Sequence, residues 1–293
     1  MNLGILNLGI ISLYKEKSVD VINGTFQNVI TAEELGFNRY WFAEHHAPDT
    51  AWRSPSLMVL LAAGYTDSIK VGTAGVTLKV NNPYRIANDF RLASSLYEDR
   101  IELGISRGSV IEKYLEHIFY DKSNGIEDVD GKYDDLIKLI HNNHDVISVP
   151  PYDIKPPNMI ALGASYNSMN YSIKYNIDLC ISIFHGTPFS SQIIENIQIY
   201  REEFFKLNKR LPNISLCFSG VCANNEELAK KRLKEFLPDN STWDVNVVGT
   251  PDKVKDYIYN ISSSTGIEDF VYCDLSQSIY HEEHLHSLIK VLK

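Results

Sequence analysis

No stretch of this chain approaches the roughly 18 consecutive apolar residues that a membrane-spanning helix needs, so no membrane partner is expected. Cysteine is scarce: Cys180, Cys217, Cys222 and Cys273 are the four in 293 residues, each lies in an apolar, strand-like run, and none forms a CxxC pair. That pattern argues against a disulfide framework and for buried, inert thiols. Basic residues are outnumbered, 28 Lys+Arg against 37 Asp+Glu, and the formal charge of -9 repels polyanions. Nonspecific nucleic-acid binding is therefore not expected, although a local anion site is compatible with the balance. No GxxxxGK[ST] or GxGxxG stands at a strand-helix junction and no HExxH occurs, which disfavours a P-loop, a Rossmann dinucleotide site and a zinc-protease centre. The opening MNLGILNLGII is apolar but carries neither a basic n-region nor a small-residue cleavage site, and a cytoplasmic protein is expected. Fixed-period repeats and low-complexity tracts are lacking as well.

What is present has ordinary globular proportions, with 44% hydrophobic and 22% charged residues, enough to bury a substantial core. Short apolar runs alternate with longer helical patterns throughout, the signature of βα units around a parallel sheet. Eight runs read as strands buried on both faces: LGILNLG, NRYWFAE, IKVGTAGV, RIELGIS, NMIALGA, IDLCISI, ISLCFSGV and EDFVYCDL. Between them, VINGTFQNVITAEELGF stops at Gly36, a natural left-handed cap, while Ser54-Pro55, Asn82-Pro83 and Thr250-Pro251 each open a helix. The expected fold is α/β, a (β/α)8 TIM-type barrel with an insertion after strand 4, formed as one domain over residues 1–293. The insertion runs from Arg107 to Pro157, contains the helical YDDLIKLIHNN, and is expected on the surface because Pro150, Pro151, Pro156 and Pro157 break helix there. A doubly wound two-domain fold is the structural alternative.

In a barrel of this kind the chemistry belongs to the residues just after each strand. Strand two ends in Glu44-His45-His46, strand three in Ala74-Gly75, strand four in Ser106-Arg107-Gly108, and strand five in Gly163-Ala164-Ser165, leading to Ser168. A histidine at such an end can exchange protons near neutrality, and alternation turns only one of the two imidazoles to the pocket; a structural histidine is the alternative. Ser106 and Arg107 with Gly163, Ala164, Ser165 and Ser168 look like two halves of a phosphate cradle, pairing a forked cation with a helix start. Read singly, the arginine is equally an ion-pair partner and the Gly-Ala-Ser a tight turn. The C-terminal HEEHLH, with His281, His284 and His286, is expected as a solvated helix face, and Tyr40-Trp41-Phe42 as core.

Five segments together, AEELGFNRYWFAEHH, SPSLMVLLAAGYTDSIKVGTAGVTLKVNNPYRIANDF, DRIELGISRG, ALGASYNS and VVGTPDKVKDYI, resemble the bacterial luciferase-like family of flavin-dependent oxidoreductases. The resemblance implies a TIM-type barrel and an FMN cofactor, with the deazaflavin F420 as the lesser candidate. It implies a phosphate near Arg107, Ser165 and Ser168, His45 as the catalytic base or the stabiliser of an oxygenated flavin beside Glu44 and His46, and a non-prolyl cis peptide at Ala74-Gly75. The activity it implies is a two-component monooxygenase that uses reduced FMN, from a separate flavin reductase, and dioxygen on a small organic substrate. Alternatives within the resemblance are a flavin- or F420-dependent reductase acting on an unsaturated group, for example in a peptide-derived natural product, and a non-catalytic flavin-binding subunit. Relatives commonly pair as homodimers through the helices after strands two and three. Ser106 replaces the reactive cysteine of the luciferase α subunit, and Lys113, with Glu112 beside it, stands where that subunit orients its histidine with an acid, so light emission is not implied.

Overall fold

The computed structural model describes residues 1–11, 17–46, 49–108, 128–163, 166–184, 188–237, 244–276 and 278–292. Its strands are β1 (Asn2–Asn7), β2 (Arg39–Phe42), β3 (Lys70–Thr73), β4 (Val76–Thr77), β5 (Ile101–Ser106), β6 (Asn158–Gly163), β7 (Asp178–Ser182), β8 (Ile214–Cys222), β9 (Val247–Gly249) and β10 (Asp269–Asp274). Each pairs in parallel with its neighbour, and β10 bonds to both β8 and β1, which closes the sheet. β3 and β4 are two halves of one barrel position, interrupted at Ala74-Gly75, so the eight expected runs supply a closed eight-stranded (β/α)8 barrel. The addition is β9, three residues that extend the edge of β8 and were too short to read as a strand.

The helices are α1 (Ser18–Leu35), α2 (Pro55–Tyr65), α3 (Pro83–Leu96), α4 (Val129–Ile140), α5 (Tyr166–Tyr175), α6 (Ser191–Asn208), α7 (Glu226–Phe236), α8 (Pro251–Thr265) and α9 (His281–Leu288). None of the described helices is long and apolar enough to cross a membrane. Their ends follow local chemistry. Gly36 caps α1 at φ 91°, a conformation that a Cβ would penalise. Asn82 accepts from the amides of Tyr84 and Arg85 at the start of α3, whereas Ser54 and Thr250 occupy the cap positions of α2 and α8 without a side-chain cap bond.

α4 is the helix in the described part of the insertion after β5, and it is strapped to the barrel. Arg91 of α3, buried, gives its guanidinium to the carbonyls of Ile140, Val149 and Pro151, while Lys132 of α4 donates to the carbonyls of Leu78 and Lys79 at 3.0 Å each. Burial holds the Arg91 pKa below its usual value, because its carbonyl partners carry no compensating charge. The insertion therefore contains a fixed strut beside β5.

Alternation inside the strands sorts the side chains. Tyr40 and Phe42 pack outward into the helix layer and Trp41 inward, and all three are buried. All four cysteines are buried and free, as expected from their apolar runs. At the N-terminal end of the barrel lies an ionic cluster: Arg39 pairs with Glu102 at 3.2 Å and Asp269 at 2.6 Å, and Trp41 Nε1 donates to Glu102 at 2.7 Å. Burial alone would lower the Arg39 pKa, but Glu102 and Asp269 outweigh it and the pKa is raised. Gly4 and Gly72 make room for this cluster, since a Cβ on either would come within 2.2 Å of Arg39 Cγ or 2.4 Å of the Glu102 carbonyl.

One expectation is overturned. His284 of HEEHLH is 1% exposed, with Nδ1 2.6 Å from Asp274 and Nε2 accepting the Cys222 amide at 2.9 Å. α9 folds down onto β8 and β10, so one imidazole of the expected solvated face becomes a buried pin, while His286 alone of the three is exposed.

Glu33 of α1 fixes the loop before β3, accepting from the amides of Asp67, Ser68 and Ile69. Burial raises its pKa, but those amide bonds more than offset it and pull the pKa down to about 2. A depressed folded-state pKa contributes stability that is complete above the ordinary carboxylate value of 4.5 and is lost as pH falls toward 2. Wild type should therefore lose more of its urea midpoint between pH 5 and pH 2.5 than Glu33→Gln; parallel losses would refute this assignment.

Candidate functional site

A cavity of about 280 Å³ opens at the C-terminal end of the barrel. Its walls include Glu44, His45, Ala74, Gly75, Ser106 and Gly163, so six of the residues singled out in the sequence converge on one space. The floor is apolar, built from Leu6, Leu8, Leu162, Phe184 and the thiols of Cys180 and Cys217.

The Glu44-His45-His46 run divides its labour. Glu44 is buried, and its two oxygens accept from the Thr77 amide at 2.9 Å and from Asn81 Nδ2 at 2.8 and 3.0 Å, while His46 Nε2 lies 2.7 Å away. The carboxylate thus ties the end of β2 to β4, across the interruption at Ala74-Gly75. His46 is not among the described lining residues; it backs Glu44 from behind. His45 faces the cavity, with its backbone carbonyl accepting from Thr50 Oγ1 at 3.4 Å. Only one imidazole of the two lines the space, as strand alternation requires.

The Ala74-Gly75 peptide is cis, as the resemblance implied. Gly75 tolerates no side chain, because a Cβ would stand 2.3 Å from Leu162 Cδ1 and 2.9 Å from the Gly104 carbonyl. Gly108 has φ 74°, and a Cβ there would meet Thr77 Cγ2 at 2.0 Å. Backbone from β4 and from the end of β5 therefore approach each other along one wall.

Arg107 follows β5 directly, is exposed, and makes no hydrogen bond or ion pair with any described residue. Its surroundings are braced by stacked rings: Tyr133 of α4 lies 4.2 Å from Tyr171 of α5 at 6°, and donates to the Ile105 carbonyl at 3.3 Å. Tyr171 in turn bonds to Asp130. Burial, then that bond, raises the Tyr171 pKa to about 12, while the nearby Arg107 charge acts in the opposite sense. Gly163 closes against α5, where a Cβ would come within 3.1 Å of Ser168 Cβ and Oγ; Ser168 itself is buried in the first turn. Ala164 and Ser165 lie outside the described residues, as do Glu112 and Lys113.

Titratable groups on the cavity wall are few. Burial pushes the Cys180 thiol up to about 12 and the Cys217 thiol well above its ordinary value, so both are neutral S–H groups. With Glu44 committed to its donors, His45 is the wall group suited to proton exchange near neutrality. No group of three or more His, Cys, Asp or Glu among the described residues could hold a metal ion. Sequence reading missed Ser182, at the end of β7, which lines the cavity and whose Oγ is shielded and without a hydrogen-bond partner. Its signal was the spacing of two from Cys180, which places both on the inner face.

The model of the luciferase-like monooxygenase family matches residues 1–113. Over those residues the chain is similar to that family. It is 27% identical to the YceB protein of Bacillus subtilis, over 74% of this chain and 67% of that one. It is also 27% identical to a luciferase-like monooxygenase of Escherichia coli K12, over 70% and 61%. The aligned region thus spans about two thirds of these relatives' length. Among solved structures, apo-MsnO8 superposes with a TM-score of 0.85 at 22% identity, covering 99% of this chain and 98% of that one. The oxygenating constituent of 3,6-diketocamphane monooxygenase from Pseudomonas putida, in complex with FMN, gives 0.75 at 17%, with 100% and 97% covered. An F420-dependent secondary alcohol dehydrogenase gives 0.72 at 12%, with 100% and 99% covered. These three solved chains share the barrel described above.

Proposed function

We propose that this luciferase-like chain is a flavin-dependent oxidoreductase, specifically a two-component monooxygenase that takes reduced FMN from a separate reductase and oxygenates a small organic substrate. The observation that carries the proposal is the exposed Arg107, without a hydrogen bond or ion pair among the described residues, standing between Ser106 and Gly108 of a cavity wall that also holds His45 and close enough to Tyr171 of α5 for its charge to act on that phenol. The residues fit the cofactor: Gly163, without a Cβ, lets the end of β6 approach Ser168 in the first turn of α5, and the apolar floor accepts an uncharged ring. Arg107 and Ser168, with Ser165, would hold the phosphate, and Ala74-Gly75 would line the ring. Bound reduced flavin supplies the electrons and, with dioxygen, the oxygenating power. His45 holds or moves a proton at its imidazole, Glu44 fixes the strand end that carries it, and Leu6, Leu8, Leu162 and Phe184 keep water out.

FMN is preferred to F420, supported by the named monooxygenases among the relatives and by the FMN-bound neighbour. The dehydrogenase neighbour supports a second reading, hydride transfer without oxygen, on the same scaffold. Oxygen uptake above the free-flavin background, in purified protein with FMN and a reductant, supports oxygenation; anaerobic turnover supports the second reading. Tight flavin binding with neither would make the chain a non-catalytic binder.

Arg107→Ala should weaken FMN roughly 10- to 100-fold, the loss of a charge-assisted contact, and leave riboflavin nearly untouched, because only FMN carries the phosphate. Equal weakening of both would reject the cradle. We also propose a homodimer: α2 exposes Leu57, Leu61 and Tyr65, and α3 exposes Leu92 and Leu96, an apolar face on neighbouring helices. Sedimentation should return twice the chain mass, and a monomer at micromolar concentration would refute the pairing.

A further inference from the structure

Three tyrosine rings lie stacked between α4 and α5: Tyr133 against Tyr171 at 4.2 Å and 6°, and against Tyr175 at 5.5 Å and 2°. Phenylalanine would meet the needs of packing alone, yet both α5 phenols donate to carboxylates of α4. Tyr171 bonds to Asp130 and Tyr175 to Asp134, the latter at 2.6 Å, so residues four apart on one helix meet residues four apart on the other. Lys174 completes the outer rung, donating to Asp134 at 3.1 Å and to the Tyr175 hydroxyl at 2.8 Å. The Tyr175 bond, and then Lys174 against the opposing effect of burial, holds the Asp134 carboxyl below the usual range, so it is ionised at neutral pH. Tyr133 differs. It is 1% exposed, and its hydroxyl donates to the Ile105 carbonyl at 3.3 Å, one residue before Ser106 on the cavity wall. One end of the stack is therefore bonded to the strand that walls the cavity, and the other ends in half-buried rings.

We propose that Tyr133, Tyr171 and Tyr175 form a redox-active relay that draws oxidising equivalents away from the cavity. A phenol that loses an electron becomes a strong acid, so it is oxidised readily only where its proton has somewhere to go. The carbonyl that Tyr133 faces cannot keep a proton, whereas the carboxylates facing Tyr171 and Tyr175 can. Tyr133 thus lends its ring as the contact through which the electron passes, and the outer two phenols hold the hole. In the step itself, an oxygen-centred radical at the cavity takes one electron from Tyr171 or Tyr175, becomes an anion and is protonated from solvent. The phenol becomes a neutral phenoxyl, its O–H proton moves to Asp130 or Asp134, and the carboxyl group returns that proton to solvent. A soluble thiol then gives one hydrogen atom to the phenoxyl, restoring the tyrosine and leaving a thiyl radical outside the protein. Only the source of the first radical rests on the flavin reading above, in which reduced flavin and dioxygen meet beside His45, Cys180 and Cys217, the wall groups such a radical would damage.

The test exposes flavin-free protein to the azide radical, which takes one electron from a phenol and becomes azide. A nitroso spin trap marks the tyrosine that keeps the hole, and peptide mass spectrometry locates the adduct. Exposure alone favours Tyr65, Tyr152 and Tyr259, at 58%, 63% and 63%; the relay instead concentrates the adduct on Tyr171 and Tyr175. Asp130→Asn with Asp134→Asn keeps both hydrogen-bond acceptors but removes both proton acceptors. It should strip most of the adduct from the stack while the thermal midpoint stays near that of wild type, whereas bonds that serve packing alone would leave the adduct in place. In flavin-loaded protein under blue light, where the excited ring is itself a one-electron oxidant, Tyr133→Phe should lower the adduct at Tyr171 and Tyr175. An unchanged yield there would overturn the route from the cavity. Adducts distributed by exposure in the flavin-free protein would overturn the relay, whatever the chain does with flavin. Failure to bind flavin would instead sink the flavin reading and the cavity as source, and the azide result would still decide the stack.

Discussion

His45→Ala is expected to lower turnover by roughly 100- to 10,000-fold, the range that a positioned general acid or base contributes, while FMN affinity stays within a few-fold of wild type. The asymmetry follows from the site. His45 stands on the cavity wall at the end of β2, whereas the residues proposed to hold the phosphate belong to the ends of β5 and β6 and the start of α5. The neighbouring carboxylate cannot take over, because both oxygens of Glu44 already accept hydrogen bonds. The thiols cannot either, since burial holds Cys180 and Cys217 in the neutral form at neutral pH. His46→Ala provides the contrast: its imidazole touches Glu44 and not the cavity, so a smaller loss is expected, through looser placement of the β2 end. Steady-state oxygen uptake alongside flavin titration checks both variants. A His45→Ala protein that binds FMN poorly but turns over normally once saturated would remove His45 from the chemistry.

The barrel was legible because strands of a parallel sheet are buried on both faces and therefore read as continuous apolar runs. RYWF is the plainest case, with all four residues buried. The rule that chemistry lies after each strand then named His45, Ala74, Gly75, Ser106 and Gly163 before any coordinates, and all five line one cavity. What escaped had causes outside the local pattern. Ser182 is distinguished by what it does not touch, a property of the folded interior and not of the sequence around it. His284 lies on a helix of 8 residues whose polar composition signals solvent, yet Asp274 and the Cys222 amide, from distant strands, draw it into the interior. The ionic cluster was invisible for a related reason: Arg39, Glu102 and Asp269 stand near the starts of three strands, where charges usually mean solvent, but the closed barrel turns them toward each other.

That cluster carries the other large expected effect. Glu102 is 1% exposed and faces Arg39, the indole N–H of Trp41 and, at 3.8 Å, Lys70. Glu102→Ala removes the acceptor from Trp41 and leaves Arg39 only Asp269, so the cost is that of an under-compensated buried cation, about 3–5 kcal/mol. For a chain of this size that lowers the thermal midpoint by roughly 6–20 °C. Asp269 is the more exposed of the two carboxylates, with its side chain at 25%, so water partly replaces it and Asp269→Ala should cost less. Removing both ends of the inner pair, in Arg39→Met with Glu102→Leu, should recover much of the loss, because desolvating two charges costs nearly as much as their attraction returns. The flavin affinity of the folded fraction should stay constant throughout, since the cluster occupies the end of the barrel opposite His45. Chemical denaturation of the four proteins, with riboflavin titration of each, tests this: a double variant as unstable as Glu102→Ala would mean that the ion pair stabilises the fold outright instead of fixing which side chains share its interior.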